Sequence, residues 1–291
     1  MNASSPLLIS GLKDIASGYT GILCDVWGVL HNGAEATVSA HQALARFRKD
    51  LGGAVVLVTN APRPNAPIHE QLRETYGIPR DAYDEIVTSG DVTIDLLRKN
   101  REKKIYHLGP ERDMPLYEGL GLTLVGPDEA ELISCTGLFD DETETPETYR
   151  ELLTGLQAKG LPMICANPDL IVERGHRLIY CGGSLGKLYA ELGGNVEILG
   201  KPHKPIYDGA LARLEALLGD RFDRKKVLCI GDGLPTDILG AVNQGLDPLF
   251  ITAGIHTAEF GDRDHPDEEL IRARVEREGF TIRAAIPFLS W

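Results

Sequence analysis

The run Ala54-Val55-Val56-Leu57-Val58 is apolar at every position and mostly β-branched. A strand with one wet face alternates apolar and polar residues. A run without alternation therefore predicts a strand covered on both faces, the condition of a parallel sheet. Gly21-Ile22-Leu23-Cys24 and Val227-Leu228-Cys229-Ile230 have the same character, and Glu85-Ile86-Val87 is a weaker example. Helical stretches separate them, at about Ser39 to Lys49, Ile68 to Tyr76 and Ile206 to Leu218. Pro248 to Ile251 reads as a last strand before a polar, charged tail. The β-α-β-α-β rhythm predicts a right-handed, doubly wound α/β sheet.

The character changes after Ser89. Asp91 to Lys99 reads as a helix, followed by short strands at Lys104–Leu108, Thr123–Val125 and Leu132–Cys135. The acidic stretch 140–144 reads as a solvated loop, with Pro146 opening the next helix. Pro162–Ala166 and Arg177–Tyr180 are further strands, and Ser184–Leu192 a helix. Asn195 to Leu199 resumes the first style. The expected organisation is a core split by an insertion. Residues 1–89 and 196–291 form the core, and 90–195 form an inserted α/β domain.

Composition narrows the function classes. The chain has 291 residues, enough for two domains, and 43 acidic against 30 basic residues give a formal charge of −13. Such a surface repels phosphate backbones, which argues against a nucleic-acid binder but leaves room for a small phosphorylated ligand in a locally positive site. No apolar stretch approaches the roughly 20 residues of a membrane span. The N-terminal residues lack a basic start followed by an apolar run, so no signal peptide is expected. Cys24, Cys135, Cys165, Cys181 and Cys229 are dispersed and never form a CxxC pair. They read as buried, reduced thiols of a cytoplasmic protein.

Ligands of open parallel sheets bind beyond the carboxyl ends of the strands. Asp25 ends the first strand, Thr59-Asn60 the second, and Gly231-Asp232 the strand from Val227, with Asp237 five residues on. Lys201 follows the strand near Val196. Carboxylates on such a rim suit Mg²⁺, Lys and Thr suit phosphate oxygens, and a carboxylate can attack phosphorus. Each residue alone has a plainer reading. Asp25 could open a turn, Asp237 or Thr236 could cap a helix, and Lys201 could be solvated.

Together, Asp25-Val-Trp-Gly-Val-Leu, Val58-Thr59-Asn60, Gly200-Lys201-Pro202 and Gly231-Asp232-(x4)-Asp237 resemble the four motifs of the haloacid dehalogenase superfamily. The position of the insertion resembles its class IIA branch of sugar-phosphate and nitrophenyl-phosphate phosphatases. So do Cys165-Ala-Asn167-Pro168-Asp169 and Gly182-Gly183-Ser184. The resemblance implies a Rossmann-like core with an inserted C2-type cap, which often dimerises. It also implies Mg²⁺-dependent hydrolysis of a small phosphorylated metabolite through an aspartyl-phosphate. Asp25 would be the nucleophile, and Thr59 and Lys201 would bind the phosphoryl group. Asp25, Asp232 and the backbone carbonyl of Trp27 would hold Mg²⁺, with Asp237 behind them. Asn60, Arg63, Asn167 and Asp169 are the candidate substrate contacts.

One position departs from that pattern. Phosphatases of the superfamily carry Asp two residues after the nucleophile, as the acid and base of the reaction; here it is Trp27. Indole offers only an N–H donor. Losing acid–base help costs about 10²–10⁴-fold. Three readings stay open: His31 or Asp169 supplies the proton, the leaving group needs no acid, or the protein binds without turnover. Hydrolysis of another bond, such as carbon–halogen, is a further alternative, which the pair Asp232 and Asp237 argues against. His31, beside Asn32-Gly33, reads as a surface turn histidine. Residues 181–187 fail as a P-loop, no GxGxxG follows a strand, and His203 and His256 lack zinc spacing.

Overall fold

The computed structural model describes residues 7–175 and 177–291. The first six residues, on which the signal-peptide expectation partly rests, lie outside that range. The chain divides into two compact units. One holds the chain up to Thr59, His69–Val87 and Tyr207–Trp291; the other holds Asn60–Ile68 and Thr88–Ile206.

The first unit is built on six strands: β1 (Gly21–Cys24), β2 (Ala54–Thr59), β3 (Glu85–Thr88), β11 (Val227–Gly231), β12 (Asp247–Ile251) and β13 (Ala284–Ile286). The second contains β4 (Lys104–Leu108), β5 (Thr123–Leu124), β6 (Leu132–Cys135), β7 (Met163–Cys165), β8 (Ile171–Arg174), β9 (Arg177–Tyr180) and β10 (Val196–Ile198). The first sheet runs β13-β12-β11-β1-β2-β3, and the pairs from β13 through β2 are parallel. Every residue of β1, β2 and β11 is buried, as continuous apolar runs require. This is the expected doubly wound α/β core. Strand order reverses between β1 and β11, where Cys24 pairs with Ile230. That is the topological switch point, and Asp25 and Asp232 lie just beyond it.

The second unit has its own parallel sheet, β10-β7-β6-β4-β5, and a two-stranded antiparallel ribbon of β8 and β9. Leu108, Ile133, Leu153, Leu185 and Tyr189 form part of its separate apolar core.

Two features differ from the sequence expectation. β10, expected to resume the first sheet, is the edge of the second: Val196 pairs with Met163 and Ile198 with Cys165. The insertion thus runs past the expected boundary at 195/196. Its half-buried, exposed, half-buried pattern, with Glu197 in the middle, is that of an edge strand rather than a core strand. β13, assigned to the polar tail, is a buried Ala-Ala-Ile strand too short to stand out in the sequence.

Leu57 is fully buried in β2. Leu57→Ala is expected to lower stability by about 3–5 kcal/mol, read by urea unfolding, because the packed sheet collapses poorly around a lost side chain.

Candidate active site

The site grows from the switch point. The Asp25 amide donates to Ile230 O at 2.8 Å, which extends the β1–β11 ladder by one residue and fixes the carboxylate at its end. Asp25, Asp232 and Asp237 are all buried, and each offers an oxygen within 4.8 Å of the others'. Three carboxylates that close repel one another strongly in a site of low dielectric. An all-oxygen anionic donor set is what a hard divalent cation prefers, so these residues fit such an ion.

Backbone donors hold the carboxylates in place. Val26 N–H donates to Asp25 Oδ1 at 2.7 Å, Ile255 N–H to Asp232 Oδ2 at 2.8 Å, and Gly233 N–H to Asp237 Oδ2 at 3.1 Å. The Thr236 hydroxyl is 3.3 Å from Asp237 Oδ2. Thr236 and Asp237 lie in a single π-type turn, Leu234–Ile238, a distortion that concentrates at functional sites. Glycines make the crowding sterically feasible. A Cβ on Gly28, whose φ is +87°, would lie 2.2 Å from Asp232 Oδ2, and one on Gly254 would lie 2.1 Å from it. The glycine of the expected Gly231-Asp232 motif is equally constrained: its Cβ would lie 2.2 Å from Asp237 Cγ. Thr59, buried, ends β2 alongside β1.

Lys201, Asn60, Arg63, Asn167 and Asp169 belong to the second unit. Lys201 follows β10, the edge strand of the second sheet. Its backbone N–H donates to Asn60 Oδ1 at 2.7 Å, and Asn60 Nδ2 donates to Asp169 Oδ1 at 2.8 Å. Asn60 therefore ties together three segments distant in sequence. Gly200 permits this, since a Cβ there would lie 2.7 Å from Asn60 Oδ1 and 2.9 Å from Pro168. Asn167 Oδ1 accepts from Asp169 N at 3.1 Å and shapes the turn. Arg63 Nε lies 3.7 Å from Asp113 Oδ1. Asp113 was invisible to sequence reasoning: it sits in Glu-Arg-Asp-Met, an ordinary surface-like string.

Comparison with known proteins identifies the family. Residues 22–123 match the family described as haloacid dehalogenase-like hydrolase, and 198–273 match a HAD-hydrolase-like family. A solved hydrolase of the haloacid dehalogenase-like family from Brucella suis 1330 is 45% identical, with a TM-score of 0.86 over 97% of this chain and all of that one. The chain belongs to the haloacid dehalogenase-like hydrolase family. Among curated relatives, the 5'-nucleotidase YutF of Bacillus subtilis is 27% identical, across 83% of this chain and 90% of that protein. An acid sugar phosphatase of Staphylococcus epidermidis is 24% identical, across 83% and 89%.

In this family member, His31 is not the surface turn histidine its neighbours suggested. It is 3% exposed, stacked on Tyr76 with ring centroids 4.0 Å apart, and meets Trp27 edge-on at 5.0 Å. The turn closes inward because Gly28 N–H donates to His31 O at 2.8 Å, and Gly33 N–H donates to His31 Nδ1 at 3.0 Å. Nδ1 is thus an acceptor, which leaves the proton of the neutral ring on Nε2. Burial lowers the His31 pKa to about 4, so the ring is neutral near pH 7 and a poor acid.

The depressed pKa has a stability consequence. Between about pH 6.5 and 4 the unfolded chain binds a proton at His31 and the folded one does not. Stability is therefore complete above about pH 6.5 and falls as pH drops toward 4, by up to about 3 kcal/mol from this residue. His31→Asn is expected to flatten that part of the acid limb in urea unfolding measured from pH 7 to 4.

Proposed function

We propose that this protein hydrolyses the phosphate ester of a small, sugar-phosphate-like metabolite through an aspartyl-phosphate at Asp25. The observation that carries the reading is the cluster of three buried carboxylates at the switch point of the core sheet. The phosphatase and nucleotidase names of the curated relatives support it.

In this reading an Asp25 oxygen attacks phosphorus, and the bond from phosphorus to the leaving oxygen breaks. Water then cleaves the acyl phosphate, releasing inorganic phosphate and restoring Asp25. Thr59 and Lys201 bind the transferring phosphoryl group, and Lys201 supplies positive charge. Asp25, Asp232 and the Trp27 carbonyl would hold Mg²⁺, with Asp237 supporting them. The ion supplies charge neutralisation for the phosphoryl oxygens. Arg63 and Asp169 contact the substrate, whereas both ends of the Asn60 amide serve to hold Lys201 and Asp169. The inserted unit acts as the cap that sets selectivity, and the protein works in the cytoplasm.

Trp27 replaces the carboxylic acid usual two residues after the nucleophile, and the neutral, hydrogen-bonded His31 does not take its place. This favours substrates whose leaving group is stable as an anion. It also keeps a second reading alive, phospho-ligand binding with little turnover. The test is phosphate release from alkyl and aryl phosphates, with and without Mg²⁺. Mg²⁺-dependent release is expected, lost at least ~10³-fold in Asp25→Asn. Trp27→Asp is expected to raise kcat on alkyl phosphates by about 10²-fold and on p-nitrophenyl phosphate far less. No release by a protein that binds Mg²⁺ and a phosphorylated ligand would support the second reading. Unchanged release in Asp25→Asn would overturn the first.

A further inference from the structure

Asp113 is a buried charge that the reaction outlined above does not use. It lies in the 3₁₀ segment Glu111–Tyr117 that follows β4, and its side chain is only 4% exposed. A buried carboxylate is costly unless cations and donors compensate it. Desolvation, with Asp141 nearby, raises its pKa above the usual carboxylate value, although Arg112, Arg63 and the Thr136 hydroxyl pull it down. Arg112 is itself paired with Asp141, which also pairs with Arg174. Among the described residues, Arg63 is the cation within ion-pair distance of Asp113, through Nε at 3.7 Å.

The backbone of Arg63 is fixed as well. A Cβ on Gly90 would lie 2.4 Å from Arg63 C and O, so only glycine lets the helix Ser89–Lys99 pack against this segment. Gly90 N–H donates to Ala61 O at 3.1 Å. Asp91, which forms the capping box with Thr88, also accepts from Asn65 N at 3.2 Å. The backbone of Arg63 is thus fixed between Ala61 and Asn65, and its Nε lies within ion-pair distance of Asp113.

From this we infer that Asp113 is a positioning residue, which pre-orients the Arg63 guanidinium for an anionic substrate. The inference rests on the reading of Arg63 as a substrate contact. A guanidinium whose Nε side is drawn toward a buried carboxylate favours one orientation of its planar fork, so less side-chain freedom is lost when an anion binds. The effect belongs to affinity, not to the chemical step.

The test is a double-mutant cycle on the Mg²⁺-loaded full chain, with kcat and KM for p-nitrophenyl phosphate. Arg63→Ala is expected to raise KM about 10–100-fold. Asp113→Asn, nearly isosteric, is expected to raise KM about 5–10-fold with kcat within about twofold, and to add nothing in the Arg63→Ala background. Asp113→Glu should recover part of the loss. A KM unmoved by Arg63→Ala removes the reading of Arg63 and the inference with it. A KM raised by Arg63→Ala but not by Asp113→Asn, or raised equally by Asp113→Asn in both backgrounds, overturns the inference alone. Should Asp113→Asn fail to fold, Asp113→Glu takes its place in the cycle: a KM raised in the wild-type background but not in Arg63→Ala supports the inference, and a KM unchanged, or raised equally in both, overturns it.

Discussion

Mutual repulsion of three carboxylates is the constraint on which the core site depends. Asp25, Asp232 and Asp237 are buried within 4.8 Å of one another, an arrangement that isolated residues would not adopt. The fold holds them there with backbone N–H donors and with glycines where a Cβ would collide with them. Gly28, Gly231 and Gly254 are thus as necessary to the site as the acids. The same repulsion gives the cluster its chemical meaning. A divalent cation converts an unfavourable concentration of charge into a binding site.

The strands deliver those acids because the sheet is parallel and reverses at β1 and β11. Asp25 and Asp232 come from chain positions far apart and meet because Cys24 and Ile230 are in register. In the second unit an analogous task falls to one side chain. Asn60 joins the segments carrying Asp169 and Lys201, so the lysine's position is set by an amide rather than by a strand. Asn60 is thus a structural tie between segments of the second unit.

Much of the core was legible because its signals are dense and local. Continuous apolar runs mark β1, β2 and β11, and the polar residues that end them mark the site. β10 was misplaced because three residues cannot announce which sheet they join; that depends on a partner, Met163 to Cys165, some thirty residues away. β13 was missed because Ala-Ala-Ile carries little apolar weight. His31 was read from Asn32 and Gly33, turn residues that fit an exposed turn and an inward one equally well. Its burial comes with contacts made by the fold, the stacking on Tyr76 and the edge of Trp27.

What the sequence determined by itself was the α/β class, the doubly wound core with an insertion, and the acids at the strand ends. These follow from hydrophobic pattern and residue order, which act over a few residues at a time. Tertiary structure alone decided that Lys201 is held by Asn60, that His31 is buried and neutral, and that a buried Asp113 faces Arg63. Burial and ion pairing are properties of neighbours brought together by folding. No spacing along the chain encodes the desolvation that sets a buried group's charge or the register that gives it a partner.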